Sequence, residues 1–182
     1  MPGARDTILD RLLAADPGRH RPDEGIWREF VEHVAETLNI GPGTSVFDVG
    51  CGSGAFLFPL WENGYVVGGT DPSEALVELA LGAMPGQRIA PGSPWDLDPA
   101  EAWDVVVASG GLRATGPDRG RAMLARMVAK ARHAVALLDL PDEPPETSPS
   151  RAALLRMLAE IGAGAVQFEA APGGRFHVFA RL

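Results

Sequence analysis

The run Val46-Phe47-Asp48-Val49-Gly50-Cys51-Gly52-Ser53-Gly54 joins a short apolar strand to three glycines at alternate positions, and a helix-forming stretch follows it. Glycine lets the backbone adopt positive φ and lets a ligand approach the chain closely. In a doubly wound α/β fold such a turn lies at the carboxyl edge of the sheet, where ligands bind.

The rest of the chain repeats the alternation. Residues 7–15 read as a short helix. Residues 23–39 read as a longer one, with Ile26, Phe30, Val34 and Leu38 at helical spacing and Gly41-Pro42-Gly43 as its stop. Apolar strands follow at 45–49, 65–70, 103–108 and 133–140. Helices fall between them at 53–63, 73–84 and 117–131, with Pro59 predicting a kink in the first. After a proline-rich loop at 141–149 comes a helix over 151–161. Strands at 165–170 and 175–182 close the chain around Ala171-Pro172-Gly173-Gly174, a hairpin-type turn. Near-continuous apolar strands alternating with helices predict a parallel sheet covered on both faces, with one antiparallel strand from the terminal hairpin.

At 182 residues the chain suits one domain, divided here into a helical leader at 1–40 and the α/β domain at 41–182. A net charge of −8 makes nucleic acid a poor partner, because an acidic surface repels phosphate backbones. Cys51 is the single cysteine, so no internal disulfide can form, and a reducing, cytoplasmic setting is expected. No apolar run approaches the length of a membrane span, and residues 1–13 lack a secretory apolar core. Four histidines and one cysteine, without H-x-x-H or C-x-x-C spacing, predict no metal site.

Two ligand classes compete for the glycine turn. Gly50, Gly52 and Ala55 fit the dinucleotide pattern G-x-G-x-x-G/A, and Asp71 stands where a carboxylate could meet ribose hydroxyls. Asp48, two residues before the first glycine, argues against a pyrophosphate and for a ligand with positive charge. S-adenosylmethionine has a ribose, an adenine, an ammonium and a sulfonium, and no phosphate.

The run from Phe47 to Gly54, with Gly69-Thr70-Asp71-Pro72-Ser73, resembles motifs I and II of class I S-adenosylmethionine-dependent methyltransferases. His20-Arg21-Pro22-Asp23-Glu24-Gly25-Ile26-Trp27 resembles the leader helix of bacterial small-molecule members, and the resemblance extends over about residues 18–142. It implies a Rossmann-like, mostly parallel seven-stranded sheet with a C-terminal antiparallel hairpin. It also implies roles. Gly50, Gly52 and Gly54, with Cys51 in the same loop, would line the methionyl and ribose part of the cofactor, and Asp48 would lie near its polar end. Asp71 would accept both ribose hydroxyls, Pro72 would pack near the adenine, and Ser93 and Pro94 would stand at its amine. Ser109 would lie near the reacting methyl. S-adenosylhomocysteine would be the product.

The chain departs from that pattern. Gly92-Ser93 stands where Gly-Asp is common, which could shift adenine reading to Asp96. The segment Gly110-Gly111-Leu112-Arg113-Ala114-Thr115 lacks the aromatics or histidine that relatives place there, and the cap after Asp142 is shortened. His20 and Trp27 from the leader, Arg113, Asp139 and Asp142 are the candidates for substrate contact. The bland alternatives are a helix cap for His20, core for Trp27, a solvated arginine for Arg113 and loop capping for the two acids. No residue is assigned as a general base. The expected function is methyl transfer to a small molecule in bacterial secondary metabolism. The alternative is a methyltransferase-like chain that no longer methylates and serves as a scaffold. In either case a second copy or a different partner chain could complete the site.

Overall fold

The computed structural model describes residues 7–16, 23–98, 100–110, 116–143 and 149–182, without the side chains of 96 and 116–118. Two leader helices, α1 (Ile8–Ala15) and α2 (Glu24–Leu38), precede β1 (Ser45–Val49), α3 (Leu57–Glu62) and β2 (Val66–Asp71). Then come α4 (Glu74–Ala83), β3 (Arg88–Pro91), a 3-10 turn at Pro94–Asp96 and β4 (Trp103–Ala108). The chain ends with α5 (Gly116–Lys130), β5 (Ala131–Pro141), α6 (Arg151–Glu160), β6 (Ala165–Ala171) and β7 (Arg175–Arg181).

The seven strands form one sheet in the order β3-β2-β1-β4-β5-β7-β6. All pairings are parallel except those of β7, which runs antiparallel to both β5 and β6. The doubly wound fold expected from the sequence is therefore present, with its order reversing at β1 between β2 and β4.

Helices cover both faces, which is why the strand sequences are apolar almost throughout. Val46, Val105 and Val107 face the layer of α1 to α4, together with Leu9, Leu12, Val31 and Ala80. Phe47, Val106 and Ala108 face α5 and α6, with Leu124, Met127 and Leu154. The leader contributes to the same core as the sheet, since Leu9, Leu12 and Leu13 of α1 are all buried there.

Three local expectations change. A seventh strand, β3, lies at one sheet edge, over four residues that the apolar pattern does not mark as a strand. The helix expected over 53–63 begins only at Leu57, because Gly54 has φ +80° and the turn runs on to Phe56. Pro59 consequently falls in the first helical turn, where its missing N–H costs no intrahelical bond, so the proline has no helix interior to kink.

Candidate functional site

The glycine turn leaves β1 and is tied to the end of β2. The N–H groups of Gly50 and Cys51 both donate to the carbonyl of Thr70, at 2.8 and 3.0 Å. The N–H of Gly52 donates to Oδ2 of Asp71 at 2.9 Å, and the N–H of Ser73 donates to its Oδ1 at 2.9 Å. Asp71 thus shapes the turn as well as standing beside it.

The glycines are not equivalent. Gly50 has φ +74°, and a Cβ added to it would meet nothing within 4 Å, so its missing side chain leaves open space. At Gly54 a Cβ would lie 2.7 Å from Cε of Met84 and 3.0 Å from Cβ of Ala80. That glycine lets the turn pack on α4. Cys51 is fully buried, and its side chain lies against Gly69, where an added Cβ would come within 2.9 Å of the Cys51 Cβ. The Cys51 side chain therefore points into the fold and away from any ligand on the turn.

Asp48 is 0% exposed. Its Oδ1 accepts the N–H of Ser109 at 3.0 Å and its Oδ2 accepts the Ser109 hydroxyl, so the pair joins the ends of β1 and β4. Asp48 therefore lies within the fold at the base of the turn and grips Ser109.

On the far side of Asp71, the N–H of Gly92 donates to the Asp71 carbonyl at 3.0 Å. This sets Ser93 and Pro94, just past β3, at the same sheet edge as the end of β2. Ser93 caps the 3-10 turn by accepting the N–H of Trp95 at 3.2 Å. Pro72 is exposed on the same edge. The structure thus brings Gly50, Gly52, Asp71, Pro72, Ser93 and Pro94 to one rim, with Asp48 and Ser109 behind its β4 side.

Among the substrate candidates, Trp27 is held as core. Its Nε1–H donates to the carbonyl of Ala55 at 2.8 Å, and its ring packs on Phe30 at 5.2 Å. Asp139 and Asp142 stand at the end of β5, as expected, but each is engaged. Arg175 donates to Asp139, and Arg151 to Asp142. Each acid is thus held by one arginine at this edge. His20 and Arg113 lie outside the described residues. Among those residues no cluster of His, Cys, Asp or Glu could hold a metal ion.

Two groups stand out that the sequence reading passed over. Ser53, within the turn, donates its hydroxyl to the carbonyl of Leu12 at 2.6 Å and so docks α1 on the loop. His177 of β7 is 6% exposed and lies against Asp139. Burial pushes its pKa below the ordinary histidine value, against the pull of Glu169 and Asp139. Its burial was legible in principle, because a strand covered on both faces buries every side chain of its run.

A separate groove of about 430 Å³ lies between α2 and α3, lined by residues including Glu32, Pro42, Pro59 and Tyr65. Pro42 and Tyr65 precede β1 and β2, so the groove sits at the amino edge of the sheet, opposite the glycine turn.

No curated protein sequence matches the chain. Solved structures share its fold. An amino pentose methyltransferase of Micromonospora echinaspora involved in calicheamicin biosynthesis, with S-adenosylmethionine bound, aligns with TM-score 0.74 at 18% identity, over 92% of this chain and 94% of that one. The magnesium protoporphyrin IX methyltransferase of Synechocystis, with S-adenosylhomocysteine bound, aligns with TM-score 0.72 at 18% identity, over 95% and 92%. A methyltransferase of Aquifex aeolicus aligns with TM-score 0.69 at 19% identity, over 95% and 97%. The family model described as a methyltransferase domain matches residues 47–138, which hold the glycine turn, Asp71, Ser93 and Ser109. Spanning half of the sequence, that match shows that the chain belongs to the methyltransferase-domain family.

Proposed function

We propose that this chain is an S-adenosylmethionine-dependent methyltransferase that acts on a small molecule and yields S-adenosylhomocysteine. The observation that carries the reading is the pairing of Gly50 with Asp71. Gly50 presents bare backbone to open space, and the Asp71 carboxylate beside it is fixed by two backbone N–H groups. An ionised carboxylate has about four acceptor positions, so a ribose diol can still be received by the same group.

The residues fit this cofactor better than a dinucleotide. Residues 49–56 contain no lysine or arginine, and the Asp48 carboxylate lies directly beneath them. A pyrophosphate there would meet negative charge, whereas an ammonium or a sulfonium would be favoured. Gly50 and Gly52 would admit the methionyl and ribose part, with Pro72, Ser93 and Pro94 flanking the adenine.

When bound, S-adenosylmethionine supplies a methyl group on an already activated sulfonium. The chain's own contribution is alignment. Asp71 fixes the ribose, the glycine turn fixes the chain attached to it, and the Asp48–Ser109 pair holds the end of β4 at the acceptor side. Proximity and orientation of this kind can lower a barrier by roughly 7–11 kcal/mol. Proton removal is needed only for acceptors that start protonated.

A place in bacterial secondary metabolism and in the reducing cytoplasm is part of this proposal. The first is supported by the calicheamicin role of the amino pentose methyltransferase, and the second by a sole cysteine that is buried and in no disulfide. The test is calorimetric titration of the purified chain with S-adenosylmethionine and S-adenosylhomocysteine. Micromolar binding of both is expected. A folded, monodisperse sample that binds neither would overturn the reading and favour the scaffold alternative.

A further inference from the structure

The end of β5 carries an arrangement that the cofactor rim does not use. Leu137 pairs with Val178 and Leu140 with Phe176, so Leu138 and Asp139 together stand opposite His177. This is a bulge, a device found beside active sites where a strand must be re-aimed. Asp139 has φ +61°, a left-handed conformation that few non-glycine residues adopt.

Asp139 is gripped by two side chains of β7. Its N–H donates to Nδ1 of His177 at 3.0 Å. Arg175 donates to its carbonyl oxygen at 3.3 Å and also to its Oδ2. A backbone N–H can only donate, so Nδ1 is the acceptor and the neutral ring carries its proton on Nε2. The ring is enclosed by Phe30 of α2 at 5.3 Å and Phe179 of β7 at 6.3 Å. The charged or titratable groups around it are Asp139 of β5, Glu169 of β6, His33 of α2 and Arg175 of β7. Glu169 stands across from it in register and is bonded to His33.

A second proton on the ring must sit on Nδ1, where it would face the Asp139 N–H. Two donors cannot share a hydrogen bond, so protonation removes the contact that holds the bulge. The position matters because Ala108 pairs with Leu137, which sets Leu138 and Asp139 level with Ser109 and Gly110. That is the edge at which the acceptor would lie if the methyl-transfer reading holds, and only the use of the edge rests on that reading.

We infer that His177 is a positioning residue for the acceptor side of the site. Its neutral ring holds Asp139 in the left-handed conformation and thereby sets the course of Leu140 to Asp142, and a proton on the ring releases them.

The experiment is nitrogen-detected NMR of the histidine rings in the full chain, with amide hydrogen exchange at Asp139, Leu140 and Asp142, from about pH 8 to about pH 5 across the ordinary histidine range. The Nε2–H form is expected at the upper end. Exchange at Asp139, corrected for its intrinsic pH dependence, should accelerate roughly tenfold as the ring protonates. His177→Asn, whose amide oxygen can take the place of Nδ1, should keep exchange slow throughout. His177→Leu should be fast throughout. An Nδ1–H form at neutral pH would overturn the inference, as would Asp139 exchange that ignores ring protonation. Both are read on the unaltered chain, so a variant that fails to fold leaves the test standing. Failure to bind S-adenosylmethionine would sink the methyl-transfer reading and leave the ring measurement untouched.

Discussion

The N–H of Gly52 donates to Oδ2 of Asp71 at 2.9 Å, across 19 residues of sequence. The carboxylate proposed to receive the ribose is thus also the strut of the turn that would cradle the rest of the ligand. Substituting it tests both duties at once.

Asp71→Ala should weaken S-adenosylmethionine binding by about 2–4 kcal/mol, the scale for two hydrogen bonds to a charged group. It should also lower Tm, because the N–H groups of Gly52 and Ser73 lose their acceptor. Titration calorimetry and thermal unfolding on the same sample check the two effects. Unchanged affinity in a folded variant would remove Asp71 from the ribose site.

The two glycine roles separate by substitution. Gly54→Ala combines positive φ with contact against Met84 and Ala80, and should cost about 2–4 kcal/mol of stability. Gly50→Ala suffers the φ penalty alone, about 1–2 kcal/mol, but its methyl group enters the open space above the turn. Ligand affinity should therefore fall more for Gly50→Ala and Tm more for Gly54→Ala. The opposite ranking would reverse the assignment.

Asp48→Asn keeps an acceptor for the N–H of Ser109 while removing the charge. It should leave Tm nearly intact and weaken S-adenosylmethionine by about tenfold through lost attraction. Asp48→Ala leaves the buried Ser109 groups without these bonds and should cost about 1–3 kcal/mol. For a chain of this size that lowers Tm by about 2–4 °C per kcal/mol. Equal affinity of Asp48→Asn and the parent chain would discard the electrostatic role.

The His177 pKa is held by burial below its ordinary value of 6.5. In the window beneath that value the unfolded chain takes up the proton first, so it binds more protons than the folded chain. The contribution of His177 to stability is therefore intact above about pH 6.5 and declines as pH falls through the folded value. Denaturant unfolding across this range should show a steeper acid loss for the parent chain than for His177→Asn. Parallel curves would count against a depressed value.

The sequence made the alternation of strands and helices, the glycine turn and the positions of Asp48, Asp71 and Ser109 at strand ends readable, because each depends on local periodicity or on fixed spacing along the chain. β3 carries no such pattern, because Arg88-Ile89-Ala90-Pro91 is short, begins with a charge and ends with a proline. The direction in which Gly54 faces, or Cys51 points, depends on α4 and β2 packing against the turn, and no local pattern encodes that contact. The engagement of Asp139 and Asp142 was hidden for a similar reason. Arg175 lies 36 residues beyond Asp139 and reaches it only through the antiparallel pairing of β5 with β7. His177 was different. Phe176, Val178 and Ala180 point to one covered face of β7, so His177 and Phe179 had to point to the other.

The hydroxyl of Ser53 grips Leu12, and the indole of Trp27 grips Ala55. Both anchors flank Gly54, so the first two helices are fastened to the very turn that a ligand would immobilise. Protease resistance at the amino-terminal end of the chain then becomes a gauge of events 28 to 41 residues downstream. A ligand that stills the turn should slow cleavage within residues 8–38, and a truncation that removes α1 should loosen the turn without deleting any residue of the rim.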